Sequence, residues 1–295
     1  MDVRATVTDA IIRMLEQEVK GEGRLWDRVG ALGLPINFKT GAAYSGINIP
    51  LLWMAAQERD SSRNEWLTFN QAKSLGAMVK KGAKGVMGVF FSRVPKKEDE
   101  GDAATGATIP VLKAFWLFNV LDVDGLEISP AAECPIFQRM EEAENLLAAT
   151  GATIHWRGTQ ACYLPALDEI RMPERERFTR PVNAYAVALH ELSHWTGHCS
   201  RLNRDFSGRF GSDAYAFEEL VAELGSAFLV ARLGLAGARM ENHASYIQSW
   251  LKVLKQDKSA VFTASKHAHA AYQLILEKAG LERSAAAAAK DDVFA

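Results

Sequence analysis

The chain has 295 residues, 48% of them hydrophobic, and a formal net charge of −2. That balance excludes a disordered or membrane-embedded protein, and at this length two domains can each bury a core. Three cysteines, Cys134, Cys162 and Cys199, are odd in number and widely spaced, which excludes a disulfide framework and a CxxC metal site; they are read as reduced, Cys199 as a small buried thiol.

The opening MDVRATVTDAIIRMLEQEV reads as an amphipathic helix with acidic residues, not a secretory signal. No span has the apolar length needed to cross a bilayer, so no membrane is expected and the cytoplasm is the expected compartment. Turn signals follow at GEG (21–23), Pro35-Ile36-Asn37, Thr40-Gly41 and Ser45-Gly46. Within PINFKTGAAYSGINIPLLW, Asn37, Thr40, Tyr44 and Asn48 stand among glycines that let a backbone come close to a ligand, while Trp53 is expected to pack inside.

The stretch from Asn64 to Phe69 leads into a helix expected at about 70–78, closed by the basic turn KKGAKG. VMGVFF (86–91) and VLKAFWLFNVLDV (111–123) are expected strands, with PKKEDEGDAATGA as an exposed hairpin loop between them. From Arg63 to Lys97 the basic residues Arg63, Lys73, Lys80, Lys81, Lys84, Arg93, Lys96 and Lys97 face only Glu65, with Trp66, Phe69, Phe90 and Phe91 interleaved. Cations that track phosphates beside rings that stack on unpaired bases suit single-stranded nucleic acid. A solvated lysine face over an aromatic core would have the same composition.

EISPAAECPI reads as a linker, because Pro130 and Pro135 bracket small residues. Beyond it a helix is expected at 137–149, strand-like pieces at 153–156 and 162–164, and another at 168–172. Next comes HELSHWTGH, with His190 and His194 at i and i+4, one helical turn apart on a common face. Two imidazoles so placed can hold one cation; the cation lowers the pKa of a bound water, and Glu191 between them is placed to accept its proton. The preceding Tyr185, Val187, Ala188 and Leu189, with Leu192 and Trp195, give that helix a buried side, and Gly197 reads as its stop.

A third protein ligand decides the class. The HExxHxxGxxH continuation fails, since Ser200 stands where a third histidine belongs and His198 comes too early. The segment at 215–233, YAFEELVAELGSAFLVARL, reads as a long helix with Phe217, Leu220, Val221, Leu224 and Phe228 facing the core. Glu219 and Glu223 share one of its faces with Ala222 and Ser226, so one can bind the metal and the other support an imidazole; Glu219 is favoured as ligand, although a slide of one turn exchanges the two. Glu218 is read as exposed. Helices are expected at 245–255 and 258–278, then a frayed tail, SAAAAAKDDVFA.

Together these blocks resemble the ArdC family of plasmid antirestriction proteins over nearly the whole chain. PINFKTGAAYSGINIPLLW, WLTFNQAKSLGAMVKKGAKG and FWLFNVLDVDGL resemble the family's N-terminal single-stranded-DNA-binding domain, which is also joined to some plasmid primases. HELSHWTGH, the RLNR step at 201–204 and YAFEELVAELG resemble its zincin-like metallopeptidase domain. The resemblance implies an α+β chain of two domains: a mixed α/β DNA-binding domain at 1–128, a linker at 129–136, a zincin-like domain at 137–283 and a flexible tail at 284–295. It implies a protein that helps incoming mobile DNA survive host restriction, with single-stranded DNA as partner and a host restriction protein as substrate or target.

Carried onto this sequence, the catalytic base is Glu191 and the metal ligands are His190, His194 and one of Glu219 and Glu223. Tyr215 and His243 are further candidates for stabilising an oxyanion. Asn37, Tyr44, Asn48, Trp66, Lys80, Lys81 and Lys84 are the expected DNA contacts. The cofactor is one divalent metal, with Zn²⁺ best suited to imidazole plus carboxylate and Mn²⁺ or another first-row ion able to take the same site. Three readings follow: a DNA-tethered peptidase, a non-catalytic coating protein whose metal is structural, and a nuclease, which the imidazole pair disfavours because nucleases gather hard oxygen ligands.

Overall fold

Helix α1 (Val3–Val19) starts where the Asp2 side chain accepts from the Ala5 amide at 3.2 Å, and it buries Val7, Ile11, Met14 and Leu15 on one stripe. In the computed structural model, which describes residues 2–20, 30–95, 108–129, 135–208, 212–238 and 243–281, that stripe packs on the last part of the chain. Thr8 Oγ1 donates to the Lys258 carbonyl at 2.7 Å, and Lys255 pairs with Glu16 at 2.8 Å. The expected turns at 21–23, most of the 95–107 loop, the middle of the linker and the tail lie outside the described residues.

The N-terminal unit is a four-stranded sheet in the order β1 (Ile36–Asn37), β2 (Glu65–Leu67), β5 (Thr108–Asn119), β4 (Val86–Pro95). β1 and β2 are parallel; β5 runs antiparallel to β2 and to β4, with Met87 opposite Trp116. A two-stranded ribbon pairs β3 (Met78–Val79) with β6 (Val123–Asp124). The helix expected at 70–78 is shorter: α3 (Phe69–Ser74) opens on a capping box between Thr68 and Gln71 and ends before β3. Helix α2 (Asn48–Glu58) is not marked by the Gly- and Asn-rich loop that leads into it, and Pro50 in its first turn loses no helical hydrogen bond.

The C-terminal unit begins with α4 (Ile136–Ala149) and a small sheet, β7 (Thr153–Trp156), β9 (Glu169–Met172) and β8 (Cys162–Leu164), with β9 central. Then come α5 (Pro181–Trp195), α6 (Asp213–Leu233), α7 (His243–Gln256) and α8 (Ala260–Lys278). α6 closes on Gly234, whose φ of 64° is the left-handed conformation glycine adopts without strain. Phe217 is only half-buried, whereas Leu220, Val221, Leu224 and Phe228 are core residues.

The architecture is α+β in two units, but their interiors are continuous. Trp53 of α2 is fully buried, lies 5.9 Å from the Phe228 ring of α6, and donates its indole N–H to the Gly33 carbonyl at 2.8 Å. One apolar cluster therefore runs from α1 and α2 into α5, α6 and α8. Among the described residues, no helix is long and apolar enough to cross a membrane.

Candidate metal centre

Helix α5 carries Pro181 in its first turn and runs through His190, Glu191 and His194 to Trp195. α6 crosses it closely because the facing residues are small: a Cβ on Gly225 would lie 2.8 Å from Ser193 Oγ, and Ser226 Oγ donates to the Ala186 carbonyl at 3.1 Å. That approach brings α6 carboxylates onto the imidazoles.

His190 Nε2 and His194 Nε2 lie 3.1 Å apart. Glu219 Oε2 is 3.4 Å from the first and Glu219 Oε1 is 3.6 Å from the second. Ligands on bonds of about 2.0–2.1 Å to one tetrahedral ion stand about 3.3 Å apart, so the three residues fit a divalent cation. Among the described residues they are the one His/Cys/Asp/Glu group whose ligand atoms converge, all within 4.8 Å. The other ring nitrogens are attended as well. Glu223 Oε2 stands 3.5 Å from His190 Nδ1, an ion-pair contact; that nitrogen is buried and has no hydrogen-bond partner among the described residues. Glu219 thus faces the Nε2 atoms of both imidazoles, and Glu223 the Nδ1 side of one ring.

Burial disfavours charge on His190, yet the Glu219 and Glu223 carboxylates outweigh it and hold its pKa well above 6.5. Burial likewise pushes the Glu219 carboxyl up, but His190, the His194 charge and the Tyr215 hydroxyl bring it below its ordinary value.

Glu218 corrects the sequence reading. Expected to be exposed, it is 6% exposed, and its Oε1 lies 3.0 Å from His194 Nδ1. A carboxylate there accepts the Nδ1 proton and leaves Nε2 with a lone pair for a metal. Its own charge is balanced by Arg204, 2.8 Å away. Neither residue was singled out as part of a site; a glutamate next to the favoured ligand reads as surface, and RLNR carries no metal-site spacing.

Glu191 lines a cavity of about 700 Å³ with His190, His194, Glu219, Tyr215 and Cys162. His198 points elsewhere, its Nδ1 2.8 Å from Ser200 Oγ. Cys199 is exposed rather than buried, because it lies in the turn past α5. Gly197 has no left-handed backbone; it is small because a Cβ would meet the Phe206 ring at 2.6 Å and Arg204 at 2.9 Å. The His243 side chain lies outside the described residues.

In the N-terminal unit the expected contacts divide. Asn37 donates to Tyr44 and Gln71, both at 3.1 Å, and accepts from the Lys39 and Thr40 amides. Asn48 ties α2 to β4 through both Val89 backbone groups at 2.9 and 2.8 Å. Trp66 is fully buried with its N–H on Asn64. These side chains and Tyr44, whose hydroxyl pKa burial drives upward, are occupied inside the fold and offer no ring face to a base. Lys80, Lys81 and Lys84 are exposed, and Phe69, Phe91 and Trp116 are rings of the same unit that are each about half exposed. Trp116 lies against Gly85, where a Cβ would be 3.3 Å from its ring, beside Lys84.

Comparison with known proteins gives the same two units. Residues 1–118 match the N-terminal domain of anti-restriction factor ArdC, and residues 141–267 a zincin-like metallopeptidase. The chain is 38% identical to the uncharacterised protein y4eC of Sinorhizobium fredii, covering 90% of this chain and 89% of that one. It is 36% identical to a DNA primase TraC of Escherichia coli, matched over 94% of this chain but only 20% of the primase. The crystal structure of the antirestriction ArdC protein from plasmid R388 in its metal-free form has 37% identity and a TM-score of 0.80, covering 96% of this chain and 100% of that one. Its Mn(II)-bound form has 36% identity and a TM-score of 0.76, with the same coverage.

Proposed function

Because this chain belongs to the ArdC family of antirestriction proteins, its second unit a zincin-like metallopeptidase fold, we propose that it protects incoming mobile DNA by holding single-stranded DNA and hydrolysing a protein met there. The observation that carries the peptidase half is the convergence of His190, His194 and Glu219 on one point of a cavity that Glu191 also lines. The donor set suits a divalent ion, zinc best by its imidazoles, while the plasmid R388 relative was crystallised with Mn(II).

Bound by those three side chains, the ion would supply Lewis acidity toward a water and a substrate carbonyl. Glu191 is one residue along α5 from His190, and its role is to take a proton from the attacking water and pass it to the leaving amine. Glu218 keeps the His194 proton on Nδ1, and Glu223 does the same electrostatically for His190. Tyr215, one turn before Glu219 on α6, lines the same cavity with its hydroxyl on the Glu219 carboxylate, and its proposed role is to turn that hydroxyl to an oxyanion when substrate binds.

The DNA half rests on the exposed lysines and rings rather than on the buried contacts first expected. Lys73, Lys80, Lys81 and Lys84 would meet phosphates, with Trp116, Phe69 and Phe91 as stacking faces. A host restriction protein is the proposed target. A Glu191→Ala variant tests the mechanism: it should keep metal and DNA affinity while losing peptide hydrolysis and antirestriction. Antirestriction that survives this change would favour a coating protein with a structural metal.

A further inference from the structure

We propose that Arg204 is the positioning residue of the metal centre, acting through Glu218 to fix the His194 ring with Nε2 toward the ion; this rests on the metal-binding reading above. The chain past α5 turns back on itself. The Leu202 amide donates to the Thr196 carbonyl at 3.0 Å and the Arg204 amide to the Gly197 carbonyl at 2.8 Å, with Asn203 at φ 47°. This turn delivers the guanidinium under the last turn of α5. There Nη2 donates to the Ser193 carbonyl at 2.7 Å and Nη1 to Thr196 Oγ1 at 2.8 Å.

The first of these caps a carbonyl at the end of α5. The guanidinium also forks onto Glu218, Nε donating to Oε2 at 2.9 Å and Nη2 to Oε1 at 2.8 Å. Oε1 is the atom that faces His194 Nδ1, so Arg204, Glu218 and His194 form one chain of contacts from loop to α6 to α5. The Arg204 and Glu218 side chains are 3% and 8% exposed. A carboxylate this buried stays ionised and oriented only if a counter-charge holds it, and a planar fork fixes both its oxygens where a point charge would not. Gly197 keeps the space clear, since any Cβ there would lie 2.9 Å from Arg204 Nη2.

The test is a double-mutant cycle on zinc affinity, measured on the full chain by competition with a chromogenic chelator. Glu218→Gln is expected to weaken zinc about 10–100-fold, the usual cost of losing a carboxylate behind a ligating histidine. Arg204→Gln is expected to lose a similar factor, and Arg204→Gln/Glu218→Gln no more than the weaker single variant, because one residue acts through the other. Multiplying losses, or wild-type affinity in Arg204→Gln, would overturn the proposal. Circular dichroism of the metal-free variants separates this from unfolding. Should Arg204→Gln not fold, Arg204→Lys replaces it in the cycle, with a smaller loss and the same absence of additivity expected. A wild-type chain that binds no zinc would sink the metal reading itself, whereas a zinc-binding chain with additive variants would sink only the role of Arg204.

Discussion

Replacing Glu219 and Glu223 separately by alanine distinguishes a metal ligand from its support. Glu219 approaches both imidazole Nε2 atoms, at 3.4 and 3.6 Å, whereas Glu223 stands 3.5 Å from the far nitrogen of His190. Four-ligand zinc sites bind with about 10–16 kcal/mol, so one ligand is worth about 3–4 kcal/mol, or 10²–10³ in affinity at about 1.4 kcal/mol per decade. Glu219→Ala should therefore lose zinc by about 10²–10³-fold. Glu223→Ala removes an electrostatic partner of a ligand and should lose about 10–100-fold. Chelator competition resolves the two, and equilibrium dialysis against micromolar zinc should find Glu219→Ala the emptier. Full occupancy in Glu219→Ala beside an empty Glu223→Ala would make Glu223 the ligand and Glu219 its support.

Trp53→Ala removes a fully buried indole at the junction of the two units and should cost about 3–5 kcal/mol of stability in urea unfolding; a loss under about 1 kcal/mol would mean the shared core is not structural. Trp116→Ala should weaken binding of a single-stranded oligonucleotide by about 1–3 kcal/mol, and Lys80→Ala/Lys81→Ala should weaken it further and flatten its salt dependence; salt-insensitive binding would count against the lysine surface. Burial holds the His269 pKa below 6.5 in the folded chain, so the unfolded chain takes up that proton first. Stability is unaffected by this group above about pH 6.5 and falls as pH drops below that value toward the folded pKa, so His269→Phe, keeping a ring against Tyr272 and Phe228, should flatten the fall in urea midpoint between pH 7.5 and 5.5. Identical pH slopes would show that other groups carry it.

The clustering of His190, His194 and Glu219 was the most legible part of the chain because its logic is helical. The i and i+4 spacing of His190 and His194 sets a common face, and apolar neighbours mark which side is buried. Glu218 was illegible for the same reason: side by side with Glu219 on one helix, the two point about 100° apart, and only the crossing of α5 places a ring nitrogen before each. The turn that brings Arg204 under α5 depends on loop geometry, which no periodicity encodes. In the N-terminal unit, composition revealed cations and rings but not which rings face out. Trp66 on β2 is covered by the core while Trp116 on β5 is open, a difference fixed by strand register and by what packs on each face. Asn37 and Asn48 have the residue types of a ligand loop, yet they satisfy buried backbone and side-chain groups that the fold would otherwise leave unpaired.

The most direct test of the central claim, that His190, His194 and Glu219 together hold one divalent ion, is elemental analysis of the purified full chain beside His190→Ala/His194→Ala after both are loaded with zinc and desalted. About one zinc per wild-type chain is expected and essentially none in the double variant, which should remain folded on its apolar cluster. Equal metal content in the two proteins would contradict it.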